Sequence, residues 1–303
     1  MKLSLNQTGN LKSRRGFTLI ELMVVIIIIG ILVGFLLPAI GGALRRSKEF
    51  TIQTEMKQLV GAIEKFKSDH LYPIDFRDPT IINSFVNKLA PNHRYGDVAN
   101  GWYLATLPNP HPGGPATRSP STIGPDEVIP FMLGEITNNQ EYPFGVYFDG
   151  TNWLLDPSGT PNRVFNFDDE RLTDLDGDGW FEYVPPNSPP RPYCFFDARS
   201  YNDAINAGTI TLIDLIYTGL DDSGSCFPYA DFQATAANGG TVVYEEAQKF
   251  QIICAGMDGI YGKAAVAAGI RYSKNDDAGL TFPHRDNLVS FRDGRLDAGF
   301  VSE

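Results

Sequence analysis

The chain has 303 residues, 43% of them hydrophobic, 20% charged and 12% aromatic, a balance too apolar for a disordered chain. Its net charge of -11 leaves no basic surface for a phosphate backbone, which excludes nucleic acid as the main partner and favours cations. The three cysteines, Cys194, Cys226 and Cys254, show neither C-x-x-C spacing nor a histidine cluster, so no zinc or redox motif is written here.

Residues 17–43 are apolar or small throughout except for Thr18 and the charge at Glu21. That length spans a bilayer, for which about 20 residues suffice. Lys2, Lys12, Arg14 and Arg15 precede the run with no acidic residue before it, so the short N-terminal arm is expected on the cytoplasmic side and the rest of the chain across the membrane. A conventional cleaved signal peptide is the alternative, but its apolar core would exceed the usual length of roughly 7–15 residues. A carboxylate within such a run costs about 2.5–3.5 kcal/mol at the membrane centre, which makes Glu21 a functional residue in need of a partner.

The string Arg14-Arg15-Gly16-Phe17-Thr18-Leu19-Ile20-Glu21-Leu22-Met23-Val24-Val25 resembles the N-terminal signal of type IV pilins and type II secretion pseudopilins. The resemblance implies cleavage between Gly16 and Phe17 by a prepilin peptidase, with N-methylation of Phe17. It also implies that Glu21 pairs with the N-terminal ammonium of a neighbouring, homologous pilin-like subunit in a filament built on an inner-membrane assembly platform. Each charge then meets the other in apolar surroundings, where an unpaired ion is penalised. Loss of the four basic leader residues takes the net charge from -11 to -15.

Beyond the span, Ile52, Met56, Leu59, Val60, Ile63 and Phe66 recur at three- and four-residue steps among charged positions, the pattern of an amphipathic helix. Joined to the span it predicts one helix over 17–70. The sequence from Ala62 to Tyr72-Pro73 resembles the helix end of major pseudopilins, and Pro73 gives the helix a physical reason to stop. The domain plan is a leader at 1–16, a transmembrane helix at 17–43, its amphipathic continuation at 44–70 and a periplasmic, β-rich globular domain at 71–303.

Eighteen of the 21 prolines fall between Pro73 and Pro192, so turns and short strands are expected there. Residues 106–130, with seven prolines, read as an irregular excursion or flexible insert. Strands are expected at 145–148, 152–155, 163–167, 180–184, 193–197, 241–244, 250–255 and 288–291, and short helices at 80–89 and 203–216. The fold class is α+β: a long N-terminal helix packed on an antiparallel sheet with loop insertions, a pilin-like layout.

Two places suggest a metal. In Asp174-Leu175-Asp176-Gly177-Asp178-Gly179 the acidic residues at positions 1, 3 and 5 with glycine at 6 reproduce the first half of a calcium loop. Position 12 is Pro185, so Glu182 stands as the substitute ligand; the alternative is an acidic hairpin turn. The second place, Asp258 with Asp286, resembles the two sides of the major pseudopilin calcium loop, here with 27 residues between them.

Cys194 and Cys226 are one of three allowed disulfide pairings, closing a loop worth about 3–4 kcal/mol. The histidines His70, His93, His111 and His284 are scattered and no nucleophile or phosphate-loop motif is present, so no enzyme activity is expected. The favoured reading is a structural subunit of a pilus-like filament, most like the major pseudopilins and anchored by one pass in the inner membrane. A minor pseudopilin or type IV pilin is the near alternative. From another class comes a membrane-anchored, calcium-dependent binding or adhesion module, with Trp102, Trp153 and Trp180 as a sugar platform.

Overall fold

A computed structural model describes residues 17–70, 79–95, 105–111, 114–186, 188–197, 217–218, 225–226, 228–231, 243–244, 249–261 and 287–291. The chain divides into two compact units, Met1–Ser47 and Lys48–Glu303. Helix α1 covers Leu19–His70 and runs through Pro38 without a break. In the first unit its described side chains are all exposed. The helix there is long and apolar enough to cross a membrane.

In the second unit the predicted stripe of α1 is the core: Ile52, Met56, Leu59, Ile63 and Phe66 are all buried. Helix α2, Pro79–Leu89, starts on a proline, which suits the first helical position because its missing N–H has no intrahelical acceptor to lose. Phe85, Val86 and Leu89 of α2 are buried, and the Phe66 and Phe85 rings lie 6.1 Å apart.

The strands are short and antiparallel throughout. The first hairpins are β1 (Leu107–Pro108) with β2 (Thr117–Arg118), β3 (Val146–Phe148) with β4 (Trp153–Leu155), and β5 (Leu172–Thr173) with β6 (Glu182–Tyr183). Strand β7 is Cys194–Asp197; β8 (Tyr217–Thr218) pairs with β9 (Ser225–Cys226), and β10 (Ala230–Asp231) with β11 (Val243–Tyr244). The last strands, β12 (Phe250–Cys254) and β13 (Leu288–Val289), join β7 in a three-stranded sheet of order β13-β12-β7. Ile253 of β12 pairs with Cys194 on one side and Val289 on the other. All five β12 residues are buried, which fits a central strand covered on both faces.

Two expectations require correction. Residues 106–111 and 114–130 are no flexible insert: Leu107, Ile123, Val128 and Ile129 belong to the core, and the Phe195 N–H of β7 donates to the Pro125 carbonyl at 2.7 Å. Proline withholds a donor from ladders but leaves side chains free to pack. A helical turn at Val128–Pro130 continues into a π-helical turn at Phe131–Glu135, burying Phe131, Met132 and Leu133. Residues 163–167 form no strand, because Asn162 and Val164 give their N–H groups to the carbonyls of Ile136 and Leu133, both at 2.8 Å. The helix expected at 203–216 lies outside the described residues.

Candidate functional site

At the start of α1, Thr18 and Glu21 satisfy each other's backbone. The Glu21 carboxylate accepts from Thr18 N–H at 2.9 Å and from the Thr18 hydroxyl at 2.7 Å, and Glu21 N–H donates to the Thr18 hydroxyl oxygen at 3.3 Å. This is a capping box, in which a Thr at the cap and a Glu three residues on supply partners to donors the helix cannot satisfy itself. Sequence reasoning gave Glu21 only an intermolecular partner and passed over the Thr-x-x-Glu spacing that announces this local one. Phe17 is exposed; Gly16, the other side of the expected scissile bond, lies outside the described residues.

The acidic loop is positioned between β5 and β6. Its two turns depend on Asp side chains: Asp174 accepts from the N–H groups of Gly177 at 2.7 Å and Gly179 at 3.2 Å, Asp176 from Asp178 at 3.1 Å, and Asp178 from Trp180 at 3.0 Å. Gly179 has φ +99°, a left-handed value that favours glycine, and a Cβ there would stand 2.9 Å from the Cβ of Arg118. Trp180 is buried beneath the Arg118 guanidinium, 3.7 Å from its ring centroid, so it serves the core and not a sugar platform. Trp153 is half-buried against Tyr95 and Phe148; Trp102 lies outside the described residues.

The predicted ligands do not all converge. One carboxylate oxygen each from Asp176, Asp178 and Glu127 lies within 4.8 Å of the others, whereas both Asp174 oxygens face backbone N–H groups. Glu182 sits beside this cluster in β6, its Oε2 accepting from Leu175 N–H at 2.8 Å. Glu127 was missed because it is about 50 positions away in sequence. The available signal was Gly124-Pro125-Asp126-Glu127 ahead of an apolar run, a helix-start pattern that places an acidic side chain at a buried helix entry.

Among the described residues, the charged groups that act most on this cluster are themselves acidic. Burial, reinforced by Asp126, Asp178 and Glu182, pushes the Glu127 carboxyl well above the usual carboxylate range, partly offset by the Gly124 N–H. Burial, with Asp126 and Asp176 adding to it, pushes Glu182 up to about 9. Asp176, although exposed at the loop surface, is raised by partial desolvation within the loop and by Asp178 and Asp174. Such a set either takes up protons or holds a cation. Oxygen donors alone suit calcium or magnesium better than zinc.

Asp258 is exposed and its Oδ1 accepts from Ile260 N–H at 2.9 Å; Asp286 lies outside the described residues. Cys194, Cys226 and Cys254 are buried and stand as thiols, not disulfides, with Cys194 in hydrogen-bonding contact with Cys226.

An apolar, capped helix behind a basic leader defines the class of N-methylated, prepilin-type proteins, and residues 11–37 match the family described as "Prokaryotic N-terminal methylation motif". The likeness extends well past that segment. The type II secretion system core protein G of Vibrio cholerae is 30% identical over 148 residues, 48% of this chain and 95% of that protein. Those of Aeromonas hydrophila and Pseudomonas aeruginosa are 30% and 29% identical over 127 and 125 residues, each 41% of this chain and 84% of the relative. The chain belongs to the family of type II secretion system core protein G. No solved structure gives a significant match.

Proposed function

We propose that this protein is a major-type pseudopilin, a structural subunit that a prepilin peptidase cleaves between Gly16 and Phe17 and methylates at Phe17. The likeness covering 95% of a core protein G carries this reading; the role is structural rather than catalytic. Before assembly the protein rests in the inner membrane by one pass of α1, its second unit in the periplasm. In the filament, Glu21 receives the ammonium of Phe17 from a neighbouring subunit. The capping bonds do not compete with this, because a carboxylate offers about four lone-pair sites and Glu21 spends two on Thr18.

Intact-mass and N-terminal analysis of the protein from its native membrane tests the proposal. A mature chain beginning at N-methylated Phe17 supports it. A chain beginning after Ala43, or an intact Met1, overturns it and leaves an exported or simply anchored domain.

A further inference from the structure

The acidic loop and the buried helix entry meet in a way that the filament role does not use. Glu127 is only 2% exposed. Its Oε2 accepts from Gly124 N–H at 2.6 Å, while its Oε1 is buried with no hydrogen-bond partner. Glu182, 1% exposed, repeats the pattern: Oε2 is bonded and Oε1 has no partner. A buried carboxylate oxygen without a donor forfeits its hydration for nothing, and several carboxylates together add mutual repulsion. The remedy consistent with all of these groups is a cation placed among them.

We propose that Glu127, Asp176 and Asp178 bind one calcium ion, with Glu182 beside it as the further carboxylate. Oxygens at most 4.8 Å apart match ligands about 2.4 Å from a shared ion, within calcium's range of 2.3–2.6 Å. The donors come from two irregular segments and differ in burial, which calcium accommodates more readily than magnesium, whose octahedron is shorter and stricter. Asp174 is the loop's internal brace, since Gly177 and Gly179 occupy its oxygens. The ion therefore ties the 124–127 entry to the loop between β5 and β6, and the ligand set differs from that of any self-contained loop.

Terbium, a luminescent stand-in for calcium, reads this site directly because Trp180, whose backbone N–H donates to Asp178, is near enough to sensitise emission. The full chain is purified in detergent, stripped with chelator and titrated with terbium, then with calcium as competitor. Saturable emission displaced by calcium is expected, with Glu127→Gln weakening affinity at least tenfold. Asp176→Asn, at an exposed position that does not endanger folding, is expected to do the same. Calcium should raise the melting temperature of the wild type and leave that of Glu127→Gln unmoved, and in chelator Glu127→Gln should melt no lower than the wild type. Unchanged terbium affinity in Asp176→Asn overturns the proposal, as does equal stabilisation by magnesium at the same concentration. Absence of binding at about 1 mM free calcium, the weak end for extracellular sites, overturns it as well.

Discussion

Arg171 presents its two terminal nitrogens to the two oxygens of Glu55, a residue 116 positions earlier in α1, with Nη1 to Oε2 at 2.9 Å and Nη2 to Oε1. The same carboxylate accepts from the hydroxyls of Tyr183 at 2.8 Å and Tyr193 at 2.9 Å, so four donors, two from Arg171 just before β5, one from Tyr183 in β6 and one from Tyr193 just before β7, meet one helix residue. Forked, charge-assisted bonds of this kind are among the strongest in proteins. The pair is mostly buried, at 12% exposure for Glu55 and 20% for Arg171. Removing one partner strands the other: Glu55→Ala is expected to cost about 2–4 kcal/mol in denaturant unfolding. The exposed Glu64, changed to Ala, should stay within about 0.5 kcal/mol. Equal losses at the two sites would show that the fork contributes no net stability.

Glu21→Gln separates two duties of one side chain. Glutamine at this position preserves the capping box and abolishes the charge. The expected variant inserts and is processed normally but fails to enter filaments, scored by cross-linking between subunits in membranes. Normal incorporation would leave capping as the sole duty of Glu21.

Arg118, Glu135 and His111 form a site of pH dependence on the acid side. Burial alone would raise the Glu135 carboxyl, but Arg118 Nη1 at 2.6 Å and His111 Nε2 at 3.2 Å overcome it and hold it at about 2. A carboxyl depressed on folding contributes stability that is fully present above its unfolded value, about 4.3, and is lost as the pH falls through the folded one. The contribution at neutral pH is on the order of 2–3 kcal/mol. The stability gap between wild type and Glu135→Gln should therefore narrow from about pH 5 to pH 2. A gap independent of pH over that window would remove the charge from the explanation.

The three buried thiols give a redox prediction. Because Cys194 and Cys226 are the pair in contact, mild oxidation of the full chain is expected to join them and leave Cys254 as a free thiol, as judged by alkylation and peptide mapping. A bridge to Cys254 would mean that the pairing follows the sheet register instead, since β7 and β12 carry Cys194 and Cys254 on neighbouring rungs.

What the sequence disclosed follows the range of the forces involved. The helix face of Ile52, Met56, Leu59, Ile63 and Phe66 was legible because a period of 3.6 is local, and α2 ends as its apolar pattern does. The helical turn at Val128–Pro130 was hidden by its own Pro130, and the packing of residues 106–130 by a proline count that speaks to hydrogen-bond donors and not to burial. The acidic loop was found because three aspartates alternate within five residues. Glu127 was not, since nothing local signals that a chain 50 residues away will fold against that loop. Glu55 likewise adjoins Met56 of the stripe and looks like any helix-face acid until Arg171, Tyr183 and Tyr193 bring it their donors.

The Glu55 fork also acts as a mechanical key. Load applied along the axis of α1 acts in shear on the contact between its residues 48–70 and the strands beside them. Apolar ridges alone resist this poorly, because side chains spaced three and four apart find similar grooves after a slip of one turn, about 5.4 Å. Glu55 has no equivalent seat one turn away: the slip would break four hydrogen bonds at once and set Arg171 against the uncharged Thr51 or Gln58. One ionic tooth among greasy ridges thus sets a single gear position, so that push on the helix is delivered to the sheet as displacement instead of being lost to sliding.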